Sequence, residues 1–216
     1  MIRVPRIDPT PSYETKVRVP GEAFLALNPS PTRKEFKRHD YWKEIHDEMY
    51  DAYRGICMYC ASWTPRTPQG ASFQQTTIDH FISKAVLPQL AYDWENFRLC
   101  RNDINTNKGQ DIHVPDPFGI RNDWFEIDFT TWRVGPSNTA PAYIRQRIRS
   151  TFVRLGLNED AYIEERQNAA AIYVYRPNER IEPRVLYPFL TAEIERQSEG
   201  TALVEDLRGI LSPPAM

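Results

Sequence analysis

Residues 77–109, TIDHFISKAVLPQLAYDWENFRLCRNDINTNKG, decide the fold, because polar residues lie here between two strand-like runs and a helix. The run 73–78, FQQTTI, is rich in β-branched and aromatic residues and predicts a strand that leads into an Asp-His pair. The run 96–100 alternates polar with apolar residues, which predicts a short strand or the start of a helix. Residues 101–108 predict a helix that ends at Gly109.

Four polar residues follow one another in a fixed order along this stretch: Asp79, His80, Asn96 and Asn105. Hydrolysis of a phosphodiester needs a base that takes a proton from water, and a neutral imidazole suits that task near pH 7. It also needs a cation to neutralise the charge that develops on the phosphate oxygens. Mg²⁺ accepts one or two protein oxygens while it keeps water and phosphate as its other ligands.

This ordered set resembles the HNH endonucleases, the ββα-metal nucleases, over roughly residues 55–110. The resemblance implies that His80 is the general base and that Asp79 and Asn105 hold one Mg²⁺ or Mn²⁺ ion. It also implies that Asn96 fixes the loop and orients the backbone of His80. Cleavage by this family would leave a 5′ phosphate and a 3′ hydroxyl.

Two lysines near the set, Lys84 and Lys108, are predicted to bind substrate phosphate, since a lysine ammonium acts as a point charge towards phosphate. The Asp-His pair also constrains the backbone. A strand sends successive side chains to opposite faces. The strand must therefore end or twist at Asp79 and His80 if both are to serve one phosphate.

Each of these residues also has an ordinary structural explanation. A lone histidine is more often a hydrogen-bonded surface residue than a catalyst, and Asn96 could cap a turn. The Asn105-x-x-Lys108-Gly109 string could be a plain helix terminus. The joint order of all four residues favours the nuclease interpretation.

The cysteines depart from the HNH pattern, in which two Cys-x-x-Cys pairs hold a structural zinc. Cys57 and Cys60 match the first pair, but the second register falls on Arg101 and Ile104, which cannot bind zinc. A shift of one residue leaves a conceivable zinc site: Cys57, Cys60, Cys100 and Asp103. Structural zinc usually has four nitrogen or sulfur ligands, so we expect packing of Ile104 and Leu99 to replace the metal.

The flanks predict an α+β protein in which a ββα-metal finger is embedded in a mainly helical domain with a small β-hairpin. We expect three regions: an extended N-terminal arm at 1–30, a nuclease core at 31–122 and a C-terminal subdomain at 123–216. The predicted elements outside the finger are a short helix at 20–27, an amphipathic brace helix at 31–53, a hairpin at 124–129 and 132–134, a helix at 141–155 stopped by Gly156, a helix capped by Asn158 that runs to Ala171, and a helical segment at 188–211.

Composition places the chain among soluble globular proteins, with 41% hydrophobic and 26% charged residues. No run of 18 apolar residues and no secretion signal are present, so we expect a cytoplasmic protein without a membrane span. The net charge of −2 does not by itself indicate a nucleic-acid-binding protein. Basic residues are nevertheless concentrated at 32–39 and 145–154. One of these segments is expected beneath the nucleic-acid backbone, with salt-dependent affinity.

A second, looser resemblance rests on three features: the Asp116-Pro117-Phe118 turn, the Trp124-Phe125 strand and the helix that ends in RLGLN. These features are similar to the HNH partner proteins encoded beside ATPases in prokaryotic anti-phage systems, which implies a partner ATPase.

Two classes of function remain. One is a metal-dependent endonuclease that cuts double-stranded DNA in preference to RNA. The other is an inactive HNH-like adaptor that binds nucleic acid or a partner protein.

Overall fold

A computed structural model describes residues 1–66, 75–179 and 181–214. The chain is α+β, and two small antiparallel hairpins lie among helices, as the sequence predicts. Within these ranges, no helix has both the length and the apolar character needed to cross a membrane.

The segment predicted as an extended arm is extended only at its start. A π-helical turn at Glu14–Arg18 leads directly into helix α1, Val19–Leu27. Val17 and Phe24 are buried, because both pack into a hydrophobic core with the residues that follow. The predicted short helix at 20–27 is confirmed, the segment contributes to the core, and the boundary of the arm at residue 30 stays a prediction.

The predicted brace helix at 31–53 is broken into three pieces: helix α2, Arg33–Arg38, a 3-10 turn at Tyr41–Ile45 and helix α3, His46–Ala52. A capping box between Thr32 and Glu35 starts α2, and His39 leaves the helical conformation with φ −126° and ψ 47°. The His39 ring stacks on Phe24 with centroids 4.0 Å apart, a contact that sequence periodicity cannot reveal. The apolar stripe itself is confirmed, since Phe36, Trp42, Ile45, Met49 and Tyr53 are all buried.

Strand β1, Thr76–His80, pairs antiparallel with strand β2, Phe97–Arg101, and helix α4, Asn102–Lys108, follows at once. Asp79 and His80 both lie within the paired strand, opposite Arg98 and Phe97, so the turn or twist that would bring both to one phosphate stays a prediction. Residues 73 and 74 of the predicted strand lie outside the described residues. Gly109 ends α4 with φ +56°, in the left-handed region that glycine tolerates.

The second hairpin consists of β3, Phe125–Asp128, and β4, Arg133–Pro136, and it confirms the predicted hairpin. Helix α5, Ala142–Leu155, ends at Gly156 with φ +70°, also as predicted. The remaining helices are α6, Asp160–Tyr175, α7, Ile181–Leu186, α8, Pro188–Ser198, and α9, Leu203–Ile210.

Two predictions for this part of the chain are wrong. Asn158 does not cap α6, because its carboxamide bonds to the backbone N–H and carbonyl of Val134 on β4. The segment 188–211 is not one helix, because the chain leaves α8 at Glu199 and turns through Gly200 at φ +70° before α9.

The first hairpin lies between two hydrophobic cores. Ile78, Phe97 and Leu99 belong to the core formed with the N-terminal helices. Cys100 and Ile104 belong to the other core, which the second hairpin and the C-terminal helices complete. The predicted boundary between residues 122 and 123 stays a prediction, and residues from both sides of it share this second core.

Candidate active site

Asp79 is buried in an ion pair with Lys108. The ammonium of Lys108 lies 3.2 Å from Oδ1 and 3.0 Å from Oδ2 of Asp79, and the Tyr59 hydroxyl donates to Oδ2 at 2.6 Å. The Lys108 side chain is 0% exposed, and its ammonium also donates to the His80 carbonyl at 3.1 Å. Both carboxylate oxygens of Asp79 are therefore satisfied within the protein.

The predicted role of Lys108 as a phosphate-binding residue does not agree with this burial. Its side chain projects from the last turn of α4 into the hairpin, where the unpaired carboxylate of Asp79 would otherwise be costly. The same contact bears on the expected metal. A divalent cation at Asp79 does not fit this arrangement, because it would meet a buried ammonium that already occupies the carboxylate.

Asn105, the other expected metal ligand, lies three residues before Lys108 and so on the same face of α4. Its side chain is half-buried, and within the described residues its carboxamide has no hydrogen-bond partner. Its backbone carbonyl accepts from Gly109 at the end of the helix. The Asn105 carboxamide is therefore free to bind a ligand, as far as the described residues show.

His80 points to the opposite face of the strand from Asp79. Nε2 lies 2.8 Å from the Ala91 carbonyl, and Nδ1 lies 3.5 Å from the ammonium of Lys84. Because a carbonyl oxygen only accepts, Nε2 carries the proton and Nδ1 has the free lone pair. The rings of Trp42 and Phe97 meet the imidazole edge to face, at 4.6 Å and 5.4 Å between centroids.

The electrostatic environment keeps His80 neutral. Burial, followed by the charges of Lys84 and Lys108, lowers the pKa of His80 to about 3 from 6.5. Burial also lowers the pKa of Lys84, although the nearby Asp79 carboxylate acts in the opposite direction. The imidazole is consequently an unprotonated group of low basicity in the free protein.

Asn96 organises the loop between the two strands, as the sequence predicts. Its Oδ1 accepts from the N–H of Ile82 at 2.7 Å, and its Nδ2 donates to the carbonyls of Ile82 and Leu90, both at 2.9 Å. The backbone carbonyl of Asn96 also accepts from Phe81, the residue after His80. One buried carboxamide therefore fixes the loop next to the imidazole.

Lys84 joins the imidazole to a strongly basic depression in the surface. Its ammonium lies 4.6 Å from the centre of the Trp42 ring, which in turn contacts His80. We call this depression the cationic pocket. It is lined by Arg33, Lys34, Phe36, Lys37, Asp40, Trp42, Lys43 and Lys84.

The four conceivable zinc ligands do not form one site, although the Cys57 and Cys60 thiols interact with each other. Asp103 instead accepts from the Tyr162 hydroxyl at 2.7 Å, and the Cys57 thiol accepts from the Arg101 N–H at 3.4 Å. Burial raises the pKa of the Cys60 and Cys100 thiols. Within the described ranges, no group of three or more His, Cys, Asp or Glu side chains could hold a metal ion.

Sequence reasoning missed Tyr59 and Trp42, which contact the two residues of the Asp-His pair. Tyr59 stands inside the Cys57-Met58-Tyr59-Cys60 run, where the cysteines drew attention to zinc. Trp42 was predicted only as part of an apolar stripe. No sequence signal separates a core tryptophan from one that contacts the His80 imidazole.

No protein-family model matches this chain, and no curated protein matches it either.

Proposed function

We propose that the chain is an HNH-type endonuclease that hydrolyses phosphodiester bonds in nucleic acid, DNA in preference to RNA, with His80 as the base. The observation that carries the proposal is the imidazole at the end of β1, whose Nδ1 lies 3.5 Å from the Lys84 ammonium at the edge of the cationic pocket. The order β1, β2, α4 and the loop fixed by Asn96 support the same conclusion.

Each side chain on this face would have one task in the proposed reaction. The Ala91 carbonyl holds the Nε2 proton, so Nδ1 is the atom that accepts a proton from water. Lys84 covers Nδ1 in the free protein, and its ammonium would move to a substrate phosphate, which exposes the lone pair. The bound phosphate would oppose the charge of Lys84 and so raise the proton affinity of the imidazole.

The Mg²⁺ or Mn²⁺ ion expected at Asp79 and Asn105 stays a prediction. Such an ion would neutralise charge on the phosphate. Asp79 becomes available to it only if Lys108 leaves the carboxylate, and no step proposed here depends on that event.

A plasmid-nicking assay tests the proposal. Wild type, His80→Gln and the control His46→Gln are compared with Mg²⁺, with Mn²⁺ and with EDTA. His46 is a suitable control because it bonds to Thr76 on the same strand and, among the described residues, makes no hydrogen bond to His80 or Lys84. We expect His80→Gln to slow cleavage by about 10²- to 10⁴-fold, the usual contribution of a general base.

His46→Gln is expected to cut at the wild-type rate. Undiminished cleavage by His80→Gln would refute the assignment of the base. Equal losses in both variants would indicate a structural effect.

The second candidate function is an inactive adaptor that binds nucleic acid or a partner protein. The buried Asp79–Lys108 pair favours it, because a carboxylate held by an ammonium is poorly placed to bind a catalytic ion. A chain that shifts DNA in a gel without cutting it under any metal condition would support the adaptor. The partner ATPase and the anti-phage role stay predictions.

A further inference from the structure

We infer that the cationic pocket binds the phosphate backbone of the nucleic acid next to the phosphodiester that is attacked by the water His80 deprotonates, without reading base sequence. This inference rests on the proposed function, which it deepens by assigning a substrate-binding surface. Residues 32–39 and 145–154 were both candidates for that surface on sequence grounds. The structure favours the first of them.

The pocket combines charge with suitable size. Five cationic side chains line it against one carboxylate, that of Asp40, which already pairs with Lys43. Among the described residues, the cations of Arg33, Lys34 and Lys37 have no carboxylate within ion-pair distance. The cavity of about 600 Å³ falls in the range of sites that hold ligands of nucleotide size.

Helix α2 keeps these charges together at a cost to its own stability. Arg33 and Lys37 are four residues apart on one face of the helix, and like charges at this spacing repel each other. The one carboxylate within α2, that of Glu35, is used in the capping box with Thr32. A bound polyanion would remove the repulsion between these cations. Binding of such a ligand therefore explains why the cations are clustered, whereas the stability of the fold does not.

The pocket is continuous with the proposed base. Lys84 lines it, lies against the Trp42 ring and approaches Nδ1 of His80. Trp42 is buried and its ring is covered by Lys84, so it offers no free face on which a base could stack. Recognition by the pocket is therefore expected to depend on phosphate charge and on salt.

The other basic segment is less suitable. Arg147 donates to the backbone carbonyls of residues 112, 113 and 114, and Arg154 is paired with Asp111. These cations are already engaged with the protein. Arg145 and Arg149 remain on that helix and supply a control in which the same charge is removed elsewhere.

The test measures the binding of a short fluorescein-labelled DNA duplex by fluorescence anisotropy over a range of salt concentrations. All proteins carry His80→Gln and the buffer contains EDTA, so cleavage does not enter the measurement. Lys34→Gln with Lys37→Gln is compared with Arg145→Gln with Arg149→Gln. Lys84 is left intact because it contacts His80.

We expect the pocket variant to bind about ten-fold more weakly near 0.1 M salt, with the slope of log K against log salt reduced by about 1.8, because each lost phosphate contact contributes roughly 0.9. The control pair is expected to change affinity by less than about two-fold. Equal losses in both variants, or no loss in the pocket variant, would overturn the inference. Circular dichroism verifies that both variants are folded.

The two proposals can fail separately. If the pocket variant loses binding and His80→Gln leaves cleavage unchanged, the pocket is supported as the phosphate-binding surface and His80 is refuted as the base. Cleavage that depends on His80, together with unchanged binding by the pocket variant, would support the nuclease and refute the pocket.

Discussion

The two hairpins have the same antiparallel pairing, but the first buries charged and polar side chains beside its apolar residues, whereas the second buries apolar side chains. The β1–β2 hairpin buries Asp79, His80, Arg98 and Arg101. The β3–β4 hairpin buries Phe125, Ile127 and Val134, and the Phe129 and Trp132 rings meet edge to face at 5.3 Å beside it. The stability of the first hairpin depends on hydrogen-bond and ion-pair partners for its buried polar groups, whereas the stability of the second depends on the apolar area that it buries. Chemistry is expected only in the first.

The largest effect is expected from Lys108→Met, which leaves Asp79 buried without a counterion. Loss of one partner of a buried ion pair typically lowers the free energy of unfolding by about 3–5 kcal/mol. Urea unfolding followed by circular dichroism measures the change. Arg121→Met is the control near the second hairpin, where an exposed ion pair with Asp123 should contribute nothing measurable.

Asp79→Asn added to Lys108→Met should recover part of that loss, because it removes the buried charge. A Lys108→Met protein as stable as wild type would mean that Asp79 does not need its ammonium. Mn²⁺ should raise the melting temperature of Lys108→Met but not of wild type, if Lys108 keeps a cation from the carboxylate.

Asparagine side chains brace both hairpins, which permits a matched pair of substitutions. Asn96→Ala removes three buried hydrogen bonds and is expected to cost about 3 kcal/mol of unfolding free energy. Asn158→Ala removes the two bonds to Val134 at a half-buried position and should cost about 1–2 kcal/mol. Equal losses of unfolding free energy in the two variants would contradict the expectation that Asn96 is the more important of the two asparagines for stability.

The pH dependence of stability should distinguish the hairpins through His80. Its pKa is about 3 in the folded chain and about 6.5 when unfolded, so only the unfolded chain takes up the proton between these values. The contribution of the neutral His80 imidazole to the free energy of unfolding is therefore complete above pH 6.5 and is lost as pH falls towards 3. Between pH 7 and pH 5, wild type should lose about 2 kcal/mol more than His80→Gln in urea unfolding. Parallel curves for the two proteins would contradict the buried neutral imidazole.

The smallest effect concerns the second hairpin. Ile127→Val removes one buried methyl group and should lower the free energy of unfolding by about 1 kcal/mol. DNA binding and cleavage should stay at wild-type values, since the β3–β4 hairpin carries no residue of the proposed site. A change in cleavage without a comparable change in stability would mean that the two hairpins are coupled.

Local sequence signals predicted much of the fold. The β-branched run before Asp79, the glycines at 109 and 156 and the alternation in the second hairpin each specify a structure within a few residues. Breaks that depend on distant contacts were not predictable. His39 leaves α2 and stacks on Phe24, and nothing near it in sequence signals that choice.

The sequence placed Asp79, His80 and Asn96 in one hairpin, but it did not reveal the neighbours Tyr59 and Trp42 or the role of every residue. Asn96 bonds within its own loop, so its role is local and was foreseen. A lysine in the last turn of a helix normally reaches solvent, and only the folded chain places Lys108 against Asp79. The alternation of a strand implied opposite faces for Asp79 and His80, but not which neighbours would cover each face.

The ammonium of Lys108 holds the carboxylate of Asp79 and the carbonyl of His80 together. One atom thereby joins the Asp79 side chain to the His80 backbone, and we expect the two to open together. Amide protons at the end of this strand should exchange with solvent in one cooperative event, and any movement that frees Asp79 will also release the backbone beneath the imidazole.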